Sequence, residues 1–118
     1  MAREEAIKRL EEFIARYSGQ NAHPENTPDA MFRLGELYFE RSSVEFQERF
    51  EEAQLARERG DEGVELPQTP NLEPTIALYQ QLVERFPRYR RIDGVYYLIG
   101  YCLNEMGRSH EALMAWLS

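Results

Sequence analysis

The chain has 118 residues, the size of one domain, and 42% of them are apolar, which is enough to build a core. Its net charge of −7 argues against a nucleic-acid binder, which needs a basic surface, and against binding to anionic membranes. No apolar run approaches the roughly 20 residues that span a bilayer, and the Glu-rich start is not a signal peptide. The single cysteine, Cys102, excludes an internal disulfide.

The first helix is predicted from about Arg3 to Tyr17, where apolar residues recur at helical spacing and charged residues fill the other face. A loop rich in Gly, Asn and Pro follows over residues 18–28. Thr27 is predicted to be the N-cap of the second helix, with Pro28 at its first position.

The second helix is predicted to continue to Gly60, which makes it long against a usual mean of about 12 residues. Its second part carries a short heptad-like seam, made of Phe39, Ser43, Phe46, Phe50 and Ala53. The serines at positions 42 and 43 leave a one-turn interruption open. The seam either packs as core against the following loop or an adjacent repeat, or forms a protruding interface.

The loop over residues 60–73 is predicted to be pinned to the helices by three apolar residues, Val64, Leu66 and Leu72. Asn71 is predicted to cap a third helix over residues 74–86, which the proline at position 87 ends. Two further helices are predicted over residues 92–106 and from Ser109 to the end, with Gly107 at the turn between them.

Two pairs of helices in the chain match each other in sequence. The residues Met31, Leu34, Gly35 and Tyr38 have the same spacing as Tyr96, Ile99, Gly100 and Leu103. The segment AIKRLEEFIARYS aligns with TIALYQQLVERFP over residues 75–87. Glycine inside a helix costs about 1 kcal/mol relative to alanine, so its presence at two matched positions indicates that packing needs the space. Gly35 and Gly100 are therefore predicted to let two helix backbones approach closely.

The spacing large-x2-large-Gly-x2-large, followed by Ala-x3-aromatic, resembles the tetratricopeptide repeat (TPR). The stretch RFPRYRRIDGVYYLIGYCLNEMGRSHEAL is similar in style to TPR proteins of the bacterial cell envelope, of the outer-membrane assembly lipoprotein and Tol–Pal-associated types. The resemblance implies an all-α fold: a TPR-like α-solenoid of antiparallel helix hairpins, with five helices, one of them long.

The resemblance also implies one TPR-like domain over residues 1–118. Within it, residues 1–18 are the second helix of a partial repeat, residues 28–87 a repeat with a long insertion at about 40–73, and residues 92–118 a truncated last repeat. Open ends of helical arrays normally carry a polar capping helix. The last repeat has none, so the chain is expected to be a fragment of a longer protein or to pair with another chain.

The sequence predicts no enzyme, no cofactor and no metal site. His23 and His110 have no second ligand at metal spacing, so structural or solvent roles are expected. Cys102 and His110 read as nucleophile and base only if a third group orients them, and none is evident; a buried, inert cysteine is the favoured interpretation.

The resemblance implies that the inward face of the first helices receives a peptide or helix. By helical position, that face holds Phe32, Glu36, Phe39, Tyr97, Tyr101 and Asn104. The alternative is that these residues contact the next repeat or the insertion. A second candidate interface comprises Phe46, Phe50, Arg88, Arg90 and Arg91. Its arginines either meet an acidic partner or pair with Glu residues of the insertion.

The function predicted is a non-catalytic protein–protein interaction scaffold that binds a peptide or helix of a partner within a bacterial cell-envelope complex. The alternative is an oligomerisation module that forms a homodimer through the long insertion helix. No nucleic acid and no membrane insertion of this segment are expected. The resemblance favours a periplasmic or outer-membrane-associated location and leaves a cytoplasmic one open.

Overall fold

The computed structural model describes residues 2–117, with only the backbone at residue 115. Over these residues the chain forms five α-helices, one 3-10 turn at Gly19–Asn21 and no strand. The helices are α1 (Ala2–Arg16), α2 (Asn26–Glu58), α3 (Glu73–Arg85), α4 (Ile92–Glu105) and α5 (Ser109–Leu117). The prediction of an all-α chain with five helices, one of them long, is therefore confirmed.

The helices pack on one another in chain order: α1 on α2, α2 on α3, α3 on α4 and α4 on α5. The molecule measures 56 × 36 × 16 Å, and the smallest dimension fits two layers of helices with axes about 10 Å apart. Its radius of gyration is 16.9 Å, against roughly 13–14 Å for a compact domain of this length. The chain is thus a flat plate rather than a sphere.

The main core lies where α2, α3 and α4 meet. Its fully buried side chains include Met31, Leu72, Ile76, Tyr79, Leu82, Val95 and Cys102. A smaller cluster of Ile7, Leu34 and Leu37 joins α1 to α2. Tyr38 adds a polar contact to this second cluster, because its hydroxyl donates a hydrogen bond to the Glu11 carboxylate of α1.

The helix α2 is continuous over 33 residues, about 50 Å at 1.5 Å per residue, and it has no interruption at the two serines. Its buried residues all lie between Thr27 and Ser42. The remainder, residues 43–58, is called the projecting half of α2. There Phe46 and Phe50 are half-buried, whereas Leu55 is 54% exposed. This half therefore adds little to the core.

The turns after α2 and α4 use glycine for the same reason. Gly60 has φ +90° and Gly107 has φ +76°, a conformation that only glycine adopts without strain. After α4, the N–H of Arg108 bonds the carbonyl of Leu103 at 2.8 Å, and the N–H of Gly107 bonds that of Asn104 at 3.0 Å. This pair of bonds is a Schellman cap, as the predicted turn at Gly107 requires.

The loop between α2 and α3 is held by its last residues. Leu72 is fully buried in the main core, while Val64 and Leu66 are half-buried. The Asn71 side chain accepts a hydrogen bond from the N–H of Glu73, the first residue of α3, at 3.2 Å. Leu72 thus holds the loop as predicted. Asn71, predicted to cap α3, lies one residue before the N-cap, which is Leu72, and bonds the first helical N–H from there.

The start of α2 differs from the prediction, and Thr27 is not its N-cap. The imidazole Nδ1 of His23 accepts a hydrogen bond from the N–H of Asn26 at 3.0 Å, so the helix begins earlier. The Thr27 hydroxyl accepts from the N–H of His23 at 2.9 Å and donates to the carbonyl of Tyr17 at 2.8 Å. It fastens the loop to the end of α1. The N-cap prediction was wrong, because α2 begins at Asn26 with Glu25 as its N-cap, and the His23 imidazole accepts the first helical N–H.

The link between α3 and α4 is bound to the first turn of α2. The buried Tyr89 donates a hydrogen bond to the Asp29 carboxylate, and the Arg90 guanidinium donates two to the same group, at 2.9 and 3.1 Å. Arg90 also pairs with Glu25. The Tyr89 hydrogen bond and the Arg90 contacts lower the pKa of Asp29 despite its partial burial. Arg90 therefore pairs with acidic groups at the start of α2, not with the insertion.

Alkaline pH is expected to destabilise the fold through Tyr38 and Tyr89. Burial, and then a hydrogen bond to a carboxylate, raises the pKa of each to about 12, whereas tyrosine in an unfolded chain has a pKa of about 10. The folded state thus favours the neutral phenols. Their contribution to the free energy of unfolding is complete below pH of about 10 and is lost as pH rises through about 12.

Urea unfolding at pH values of about 8 and about 11 measures this loss. The variant Tyr89→Phe starts less stable because it lacks the hydrogen bond to Asp29, but it should lose less between the two pH values than the unchanged chain. Equal losses in the two proteins would show that Tyr89 does not carry the effect.

Candidate binding groove

Two glycines lie under aromatic rings of the following helix. A Cβ built on Gly35 of α2 would lie 2.1 Å from Cε1 of Tyr79 on α3. A Cβ built on Gly100 of α4 would lie 2.0 Å from Nε1 of Trp116 on α5. Real Cβ atoms are essentially never found within 3.0 Å of another heavy atom, and both distances are shorter than that limit. The predicted close approach of the helices at Gly35 and Gly100 is confirmed.

Each ring also makes a hydrogen bond to the backbone on which it lies. The Tyr79 hydroxyl donates to the carbonyl of Phe32 at 3.2 Å, and Nε1 of Trp116 donates to the carbonyl of Tyr97 at 3.1 Å. In both cases the acceptor is three residues before the glycine. The packed pairs α2–α3 and α4–α5 are therefore fastened by the same contact, here called the ring-on-glycine contact.

A groove of about 340 Å³ lies between α2 and α4, over α3. Its buried base is formed by Thr75, Tyr79 and Cys102. Its apolar walls are formed by Phe39 of α2 and by Leu98 and Tyr101 of α4, and its exposed edge by Arg33, Glu36 and Glu40. The rings of Phe39 and Tyr101 are in contact, with centroids 6.0 Å apart.

Three of the six predicted partner-binding residues come together in this groove, namely Glu36, Phe39 and Tyr101. Tyr101 is 39% exposed, so its ring is accessible to a ligand. Phe39 is half-buried and packs against the main core. The groove thus combines a fixed aromatic wall with an exposed aromatic side chain.

The other three predicted residues lie outside the groove. Phe32 is buried in the core, and the Arg91 guanidinium lies 3.9 Å from the centre of its ring. Tyr97 is 60% exposed but stacks on Trp116, with ring centroids 6.3 Å apart. Asn104, at the end of α4, accepts a hydrogen bond from Ser109 at 3.4 Å. Each of the three is engaged in a contact within the chain.

The residues of the second candidate interface do not form one surface. Phe46 and Phe50 pack on each other in the projecting half of α2, with ring centroids 6.3 Å apart. Arg90, in the link before α4, pairs with Asp29 in the first turn of α2. Asp29 and Phe46 are about 25 Å apart along that helix at 1.5 Å per residue. Arg91 covers Phe32, and Arg88 is exposed.

Several groove residues were not predicted from sequence. Arg33 and Glu40 share the exposed face of α2 with Glu36, and spacings of three and four residues place them there. That signal was available in the sequence. The base residues and Leu98 have no such signal, because their place in the groove depends on how α3 and α4 pack against α2.

The thiol at the base of the groove is not a nucleophile at neutral pH. Cys102 is buried, and burial raises its pKa to about 12, so the thiol stays protonated.

Comparison of the chain with protein-family models, with curated proteins and with solved structures finds no match in any of the three. Within residues 2–117, no three His, Cys, Asp or Glu side chains are grouped to hold a metal ion. None of the helices described here is long and apolar enough to cross a membrane.

Proposed function

We propose that the chain is a non-catalytic protein–protein interaction module of TPR-like hairpins, whose groove between α2 and α4 receives a peptide or helix of a partner. The observation that carries the proposal is the exposed Tyr101 beside Phe39 over a buried base. Protein interfaces are commonly anchored by an aromatic side chain that lies in a pocket and is surrounded by polar residues. The groove volume of about 340 Å³ suits a few side chains of a ligand.

Two further observations support a stacked array of hairpins. The helices pack in chain order, as repeats that contact only their neighbours require. The ring-on-glycine contact occurs at both α2–α3 and α4–α5. A place in a bacterial cell-envelope complex is proposed from the resemblance of residues 74–116 to repeats of that class.

The variant Tyr101→Ala is expected to weaken capture of the partner about 5- to 30-fold, since an aromatic anchor contributes about 1–2 kcal/mol to binding. The folded state should lose less stability than on truncation of a core residue, because Tyr101 is 39% exposed and lies at the edge of the main core. The measurement is quantitative cross-linking and pull-down from the native host, with unfolding curves of the same samples.

The matched control is Tyr17→Ala, because Tyr17 has nearly the same exposure, 37% against 39%, and lies at the end of α1 outside the groove. Capture should be unchanged in this control. A large loss of stability in Tyr101→Ala without a specific loss of capture would mean that Tyr101 is core rather than contact surface.

The alternative function is homodimerisation through the projecting half of α2. Exposed Val44 and Leu55 favour it, since they are apolar side chains on a helix segment with no buried residue. Sedimentation across a concentration series tests it. A chain that stays monomeric at every concentration excludes self-association by this surface.

A further inference from the structure

The charges around the groove are predominantly negative. Glu36 and Glu40 line its edge together with one cation, Arg33, which pairs with Glu36 at 3.4 Å. Glu105 follows Tyr101 by four residues on α4, which places both side chains on one face of that helix, and its carboxylate raises the pKa of the Tyr101 phenol. Within residues 2–117, neither Glu40 nor Glu105 has a cationic partner. Two carboxylates next to the aromatic wall are therefore not neutralised.

We propose that the groove selects a basic partner segment, in which an Arg or Lys side chain lies over the Phe39–Tyr101 pair and its charge meets Glu40 and Glu105. This rests on the proposed function, because it names the ligand chemistry of the same groove. Aromatic faces attract cations, and the attraction grows when the cation is partly desolvated. Apolar side chains of the same segment pack against Leu98 and the base.

The charge of the whole chain acts in the same direction. A net charge of −7 attracts a basic segment from a distance and repels an acidic one, which raises the association rate of the first. Arg33 does not reverse this preference, since its guanidinium is already paired with Glu36. An acidic segment would find two unpaired carboxylates, and among the described residues that line the groove it would find no cation other than the paired Arg33.

The test compares two synthetic amphipathic helical peptides, each about four turns long, with the same Leu positions. One carries Arg on the positions beside the Leu face and the other carries Glu. Affinities are measured by fluorescence polarisation, and amide NMR shifts of groove residues locate the site. The Arg peptide should bind at least about 10-fold tighter than the Glu peptide, and the ratio should shrink between about 50 and about 300 mM salt.

The double variant Glu40→Gln/Glu105→Gln should weaken binding of the Arg peptide about 3- to 10-fold. Its matched control, Glu62→Gln/Glu65→Gln, removes the same charge from the exposed loop before α3 and should change affinity much less. Equal weakening by both pairs would show that net charge, not the groove, makes the selection, and would overturn the proposal.

The remaining outcomes separate this proposal from the function on which it rests. Equal affinity for the two peptides, with binding lost in Tyr101→Ala, overturns the charge selection and leaves the binding groove in place. Tighter binding of the Glu peptide does the same. Binding of neither peptide, or binding that Tyr101→Ala does not change, overturns both proposals.

Discussion

Gly35→Ala is expected to lower the free energy of unfolding by about 2–3 kcal/mol, although alanine is the better helix former. The new methyl group would lie 2.1, 2.5 and 2.8 Å from Cε1, Cζ and the hydroxyl oxygen of Tyr79. That ring cannot turn away easily, because it is buried and hydrogen-bonded to the carbonyl of Phe32. Urea unfolding gives the change as a shift in midpoint at constant slope.

Gly94→Ala is the matched control, since Gly94 is also helical but has nothing within 4 Å of a built Cβ. It should gain up to about 1 kcal/mol. In the Gly35→Ala background, Tyr79→Leu removes the clashing atoms, so the two losses should not add and the coupling should exceed about 1 kcal/mol. If Gly35→Ala is as stable as Gly94→Ala, the close contact does not exist in solution.

The Gly100→Ala change should cost less than Gly35→Ala. Trp116 makes the same ring-on-glycine contact as Tyr79, but it is partly exposed near the end of α5 and can swing toward solvent. The two losses in free energy of unfolding therefore show which ring is held more firmly. The distances at the two glycines are nearly equal and do not distinguish them.

Leu82→Ala is expected to cost about 3 kcal/mol, whereas Leu55→Ala should stay within about 0.5 kcal/mol of the unchanged chain. Leu82 is fully buried in the main core, so its truncation leaves a cavity among α2, α3 and α4. Leu55, on the projecting half of α2, is mostly solvated, so the same truncation removes few contacts.

Urea unfolding of both variants at two protein concentrations makes this comparison. A cost for Leu55→Ala close to that for Leu82→Ala would show that the projecting half of α2 is packed in solution. If that cost also grew with protein concentration, the homodimer would be favoured over a monomeric scaffold, because only association depends on concentration.

The helices were predictable because their signals are local. Apolar spacing places α1, α3 and α4, and Gly60 and Gly107 mark the ends of α2 and the turn before α5. The matched glycines predicted close helix contacts, since glycine inside a helix is unfavourable unless a neighbour needs the space. The helix signals depend on residues within one or two turns of each other, whereas the glycine signal came from comparing two matched segments of the chain.

The other features depend on partners far apart in sequence. Nothing near Tyr89 indicates that it bonds Asp29, which lies 60 residues earlier. Phe32 was assigned to the ligand-binding face by helical position, but Arg91 of the following link covers it. The groove was half predictable for the same reason: the pattern on α2 is visible in sequence, whereas the facing side of α4 is set by tertiary packing.

The repeated ring-on-glycine contact has a consequence for how the groove opens. Its two walls belong to different hairpins, each fastened internally at Gly35 or Gly100. Between them lie the link at Tyr89 and Arg90, which is hydrogen-bonded to Asp29, and the main core that α2, α3 and α4 share. Because this shared core holds the two walls together, we expect the groove to open by rotation of the exposed Tyr101 side chain rather than by movement of either wall.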